Sequence, residues 1–195
     1  MKRTADITRQ TSETDIVIEL CVDGEGEYDI DTGIGFFDHM LEGFARHGFF
    51  DLLVRVHGDT EVDSHHTVED TGIALGQAFK QALGSKEGIK RFGHFTLPMD
   101  DALVCCALDF SGRPYLEFSA ELTTPMLGTM ETETVREFFL GFVNGASINL
   151  HIVQLSGQNT HHIIEAMFKA FAKALRMAVK RDIYNFNLPS TKGIL

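Results

Sequence analysis

Apolar positions along the chain fall into two kinds of pattern. In four stretches they recur three and four apart, as on one face of a helix: Phe36 to Phe49, a stretch carrying Val68, Leu75 and Phe79, Thr132 to Gly145, and a stretch carrying Ile164, Phe171 and Leu175. Between and before them lie runs rich in strand-forming residues: Asp15–Val22, Asp51–His57, Ala102–Leu108 and Ile148–Val153. Two shorter runs, Glu27–Asp31 and Tyr115–Glu121, read as further short strands. The order predicts strand, strand, short strand, helix, strand, helix, and then the same series again.

The second series repeats chemistry as well as periodicity. Residues 65–69 read His-His-Thr-Val-Glu, and residues 161–165 read His-His-Ile-Ile-Glu, each opening a helical stretch. The copies stand ninety-six positions apart in a chain of 195. On a helix His65 shares a face with Glu69, and Glu69 is also in reach of His66. The pattern therefore predicts an α+β protein of two duplicated half-domains, 1–87 and 88–195. The junction falls in the polar, glycine-bearing stretch Gly84 to Gly93. A half of fewer than 100 residues buries its apolar face poorly alone, so the two should pair into one compact domain.

Composition narrows the function classes. An apolar fraction of 44% and a charged fraction of 23% are those of a globular protein. No apolar run approaches the roughly 20 residues of a membrane span, and the N-terminus has no secretory pattern. A cytoplasmic protein is expected. A formal net charge of −11 argues against nucleic acid as a partner, and means an anionic substrate must be held by local cations. Cys21, Cys105 and Cys106 sit in strand-like runs and read as reduced thiols, the adjacent pair pointing to opposite faces.

Of nine histidines, His57, His94 and His151 carry no signal beyond surface or partly buried residues. The doublets do, because each comes with a glutamate at the same spacing and the same place in a repeat. Imidazoles mixed with carboxylates suit Mn, Fe, Co, Ni or Zn. His39, on the first helix of half one, adds a candidate, and Glu137 holds the equivalent place in half two. Each half would offer one ligand from its first helix and three from its second.

Several motifs resemble one family. Gly-Phe-Phe-Asp-His-Met-Leu at 35–41, Asp-Ser-His-His-Thr-Val-Glu-Asp at 63–70, Gly-Ile-Lys-Arg-Phe-Gly at 88–93, Pro-Met-Asp-Asp at 98–101, Asn-Thr-His-His-Ile-Ile-Glu at 159–165 and Pro-Ser-Thr-Lys-Gly at 189–193 together look like imidazoleglycerol-phosphate dehydratase of histidine biosynthesis. The resemblance covers nearly the whole chain. It implies the duplicated ribosomal-protein-S5-domain-2-like fold and an octahedral homo-oligomer with sites completed between subunits. It also implies two Mn(2+) ions per active site, held by His39, His65, His66, Glu69, His161, His162 and Glu165. Glu137 stands where many relatives have histidine, and a carboxylate can still bind Mn, so it is kept as a ligand. By the same resemblance Arg91, Arg113, Lys169, Ser190, Thr191 and Lys192 hold a substrate phosphate, Glu13 contacts substrate, and His47 lies in a substrate-facing segment.

The implied reaction removes water from a glycerol side chain on imidazole, giving imidazole-acetol phosphate. The proton leaves a carbon that is not acidic by itself. A metal on each ring nitrogen would stabilise imidazolate, which can expel hydroxide and leave a diazafulvene. Glu13 and Asp100 are the acid–base candidates, with Glu69 or Glu165 if not fully engaged by metal. A two-metal phosphate-ester hydrolase is the alternative, and a metal-storage protein a third class, though storage needs no cationic anchors.

Overall fold

The computed structural model describes residues 2–184 and 186–193. Half one runs β1 (Thr4–Gln10), β2 (Thr14–Cys21), β3 (Tyr28–Asp31), α1 (Gly35–Gly48), β4 (Asp51–Gly58) and α2 (His65–Leu83). Half two runs β5 (Phe92–Met99), β6 (Ala102–Asp109), β7 (Tyr115–Ser119), a small hairpin of β8 (Met126–Leu127) and β9 (Met130–Glu131), α3 (Thr134–Ala146), β10 (Asn149–Ser156) and α4 (Thr160–Val179). The sheets are ordered β1-β2-β4-β3 and β5-β6-β10-β7, so the duplication holds strand for strand. In each, the third strand runs parallel to the fourth while the other pairs are antiparallel. The hairpin is the departure from the repeat: half two spends residues 120–133 between its third strand and its helix, where half one spends 32–34.

Each sheet buries one face. Ile16, Ile18 and Leu20 on β2, and Val104, Cys106 and Leu108 on β6, point inward, with more exposed residues between them. Cys105 and Cys106 do face opposite ways, and burial pushes the Cys106 thiol pKa up. The helices lie between the sheets, α2 against α3 and α1 against α4. Phenylalanines lock the halves together: Phe37 meets Phe138, Phe44 stacks on Phe171, and Phe79 meets Phe142. All six are fully buried, and each such ring stabilises by about 1.5–3 kcal/mol.

The two helix pairs differ. At α2–α3 the backbones nearly touch. A Cβ on Gly72 would lie 2.3 Å from the Phe138 carbonyl oxygen, and one on Gly141 would lie 2.6 Å from that of Glu69. Glycine is required there for the approach itself. At α1–α4 a Cβ on Gly43, the repeat partner of Gly141, would meet nothing within 4 Å.

Candidate active site

Local sequence sets where α1, α2 and α4 begin. Asp38, in the first turn of α1, accepts from the Thr32 N–H at 2.9 Å and from its hydroxyl at 2.6 Å. Asn159 caps α4 by accepting from the His162 N–H at 3.2 Å. Asp63 accepts from the His65 N–H at 2.8 Å at the start of α2. Ser64 gives its hydroxyl to Glu131 of the β8–β9 hairpin instead of capping α2, and its N–H reaches the same oxygen at 3.1 Å. Half two thus helps to fix the start of the helix that carries the half-one doublet.

His39, His161 and Glu165 bring three donor atoms within 4.8 Å of one another, the group of this kind found among the described residues. Glu165 Oε2 lies 3.2 Å from His161 Nε2 and 3.7 Å from His39 Nε2, while Oε1 accepts from Lys169 Nζ at 2.7 Å. Phe36 sets the His161 ring edge-on at 5.1 Å. Burial pulls the Glu165 pKa upward, but the Lys169 hydrogen bond and charge, with His39 and His161 beside it, outweigh burial and hold it below the ordinary value. His47, two turns after His39, is pushed down by burial and by the charges of Lys169 and Lys173. One turn of α4 therefore supplies an ionised carboxylate facing two imidazoles, a set suited to a borderline divalent metal.

In half one His65 Nε2 lies 3.4 Å from Glu69 Oε2. The second histidine of each doublet turns away from its glutamate. His66 Nδ1 donates to Asp59 at 3.0 Å, and its Nε2 lies 3.8 Å from Glu13. His162 Nδ1 donates to Asp101 at 2.8 Å, and its Nε2 lies 3.5 Å from Asp100. A carboxylate on Nδ1 orients the ring and leaves the Nε2 lone pair outward, the usual support of a metal-binding histidine. The Asp59 hydrogen bond raises the His66 pKa. Asp101 also accepts from the Gln158 and Asn159 N–H groups, and those bonds hold its carboxyl well below the usual range. Sequence reasoning missed Asp59, Asp101 and Glu131. Only Asp101 had a signal, as the repeat partner of Glu13 in the turn between the first two strands of each half.

Glu137 bonds to Arg136 at 3.0 Å, and completes no three-donor group with His65 and Glu69 within the chain. The phosphate candidates also divide. Lys169 sits at the Glu165 group. Arg91 pairs with Asp109 at 2.7 Å, donates to the Pro189 carbonyl at 2.7 Å, and its N–H reaches the Ala178 carbonyl. Ala178 lies seventeen residues along α4 from His161, roughly 25 Å at the helical rise. Ser190, Thr191 and Lys192 follow Pro189 in the same tail; the Lys192 N–H donates to Ser190 Oγ at 3.2 Å. Arg113, beyond β6, donates to the Ser111 carbonyl at 3.1 Å. Within one chain the histidine–carboxylate group and the arginines stand at opposite ends of α4. His57, His94 and His151 are exposed on strands.

The fold and this donor set define a duplicated α+β protein with a histidine–carboxylate site shared by its halves. A family profile described as imidazoleglycerol-phosphate dehydratase matches residues 32–175. The imidazoleglycerol-phosphate dehydratase of Lachnoclostridium phytofermentans is 61% identical over 193 residues, covering 99% of this chain and 98% of that protein. That of Acetivibrio thermocellus is 57% identical over 195 residues, covering 100% of both. The crystal structure of the Staphylococcus aureus enzyme superposes with a TM-score of 0.81 at 38% identity, covering 93% of this chain and 100% of that one. That of the Pyrococcus furiosus enzyme gives 0.84 at 37%, covering 97% and 100%. The chain belongs to the imidazoleglycerol-phosphate dehydratase family.

Proposed function

We propose that this chain dehydrates imidazoleglycerol phosphate to imidazole-acetol phosphate in histidine biosynthesis, as a cytoplasmic lyase dependent on Mn(2+). The observation that carries the metal reading is the convergence of His39, His161 and Glu165 from different halves, with Glu165 ionised by Lys169. Those three residues would hold one ion. His65, Glu69 and the outward Nε2 atoms of His66 and His162 would serve a paired site, with Glu137 as a further ligand. Bound metal would stabilise the anionic form of the substrate imidazole.

The chain's own groups supply the rest. Glu13 stands beside His66 and Asp100 beside His162, both exposed and placed to move a proton at the substrate side chain. Asp101 already accepts from three donors and serves to orient His162 rather than to transfer protons. Arg91, Arg113 and the 190–192 tail form a cationic end suited to a phosphate. One substrate does not span the roughly 25 Å between the two ends. The separation therefore favours sites in which one subunit contributes the histidines and another the phosphate anchors, in a closed homo-oligomer. On this reading the halves, 1–87 and 88–195, act as one unit.

Incubating the Mn-loaded protein with imidazoleglycerol phosphate tests the proposal. Formation of a ketone with phosphate still esterified is expected. Release of inorganic phosphate without ketone would assign a hydrolase instead.

A further inference from the structure

The turn that carries Glu13 is held from α2 by an unbroken chain of polar contacts. Asp70, buried on α2, accepts from Arg9 Nη2 at 2.6 Å and from Thr14 Oγ1 at 2.5 Å. A carboxylate paired with a guanidinium offers acceptors only, so the Thr14 hydroxyl proton is committed to it. Thr14 Oγ1 also lies 3.2 Å from Thr11 Oγ1. With its own proton committed, Thr14 can only accept there, and the Thr11 hydroxyl donates. Thr11 Oγ1 in turn accepts from the N–H groups of Glu13 at 3.1 Å and Thr14 at 3.0 Å. Every proton in the chain has one direction, and such chains reinforce one another. From the other side the Glu13 carbonyl accepts from the Asp59 N–H at 3.1 Å, and Asp59 is the residue that holds His66.

Among the described residues half two has no such chain. The strand register places Leu97 and Ala102 at the repeat positions of Arg9 and Thr14, and the doublet spacing places Ala166 at that of Asp70. Its turn acid, Asp101, bonds directly to the start of α4 instead. In half one the turn is tied to its helix through Thr11, Thr14 and Asp70; in half two it is tied through Asp101.

We propose that Asp70 is a positioning residue that, through Thr14 and Thr11, fixes the backbone of Glu13 beside His66 for proton transfer. The proposal rests on the reading of Glu13 as a proton-transfer group. The test uses metal-loaded enzyme with imidazoleglycerol phosphate and the variants Thr11→Val, Thr14→Val, Thr14→Ser and Glu13→Gln. Thr11 is exposed, so its variant leaves folding undisturbed and carries the test if Thr14→Val does not fold. Thr11→Val and Thr14→Val should each lower kcat on the order of tenfold with KM within about twofold, since the acid is displaced but substrate binding is not. Thr14→Ser should restore most of the rate. Thr11→Val should cost nothing further in a Glu13→Gln background. Wild-type kcat in Thr11→Val and Thr14→Val beside an inactive Glu13→Gln would overturn the positioning role alone, and so would an undiminished penalty in the Glu13→Gln background. Wild-type kcat in Glu13→Gln would remove the reading of Glu13 and the proposal with it.

Discussion

His39 Nε2 lies 3.7 Å from Glu165 Oε2, although His39 opens the first helix of one half and Glu165 the last helix of the other. The packing of α1 on α4 brings the His39 imidazole of one half to the His161 and Glu165 side chains of the other.

Removing the carboxylate charge should cost metal and little else. Glu165→Gln is expected to weaken Mn binding by at least about tenfold, judged from the loss seen even when supporting partners of a metal ligand are changed. Titration calorimetry on the chelated protein reads this directly. Glu137→Gln in the same assay should also weaken binding if Glu137 is a ligand; unchanged affinity and stoichiometry would leave it as the partner of Arg136 only.

Both doublets should be needed by every site. His65→Ala and His162→Ala are each expected to remove nearly all turnover, because residues that act as one unit do not lose activity in proportion. Half the activity left in either variant would mean two independent sites.

Arg91 should matter for the phosphate and for the tail together. Arg91→Lys keeps the charge but loses the forked geometry toward Asp109 and toward phosphate oxygens. KM should rise strongly, and less so with a substrate analogue lacking phosphate. An equal rise with both substrates would confine Arg91 to holding Pro189.

The glycines at the tight helix crossing should not tolerate a methyl group. Gly141→Ala puts a Cβ 2.6 Å from the Glu69 carbonyl oxygen, and overpacking of this kind costs about 1–3 kcal/mol. Gly43→Ala, at the open crossing, should instead be neutral or stabilise by roughly 0.5–1 kcal/mol as glycine leaves a helix interior. Denaturant unfolding of the two variants checks the contrast.

Acid should unfasten the N-terminal strand. The Arg3 side-chain hydrogen bonds to Asp23, at 2.6 and 3.0 Å, lower its pKa from 3.8 to about 2 against an opposing effect of burial. A folded pKa below the unfolded one means the pair's stabilisation is fully present above pH 3.8 and is lost as pH falls toward about 2. The gap in Tm between wild type and Asp23→Asn should close across that window. A gap that stayed constant down to pH 2 would assign the stabilisation to something other than the ionised pair.

The element order, the duplication and the doublets were legible in the sequence because they rest on local rules. Alternation set the strands, three-and-four spacing set the helices, and His-His-x-x-Glu recurred at one spacing. The burial of Val68, Leu75 and Phe79, and of Ile164, Phe171 and Leu175, follows from that spacing alone. Partnership between side chains followed other rules. Spacing on α2 put Glu69 in reach of His66, but Asp59 took that ring because a loop carboxylate lay on its Nδ1 side. His39 and Glu137 hold equivalent places, yet only His39 meets a second-helix glutamate: an imidazole can approach that carboxylate, whereas Glu137 carries the same charge as Glu69 and pairs with Arg136. The β8–β9 hairpin, too short to show a period, reaches Ser64 in the other half. Arg91 and His161 sit in motifs of one family, while the length of α4 holds them apart in a single chain. Periodicity fixes which face a residue occupies; which residue it meets there is decided by how helices, strands and loops pack in three dimensions.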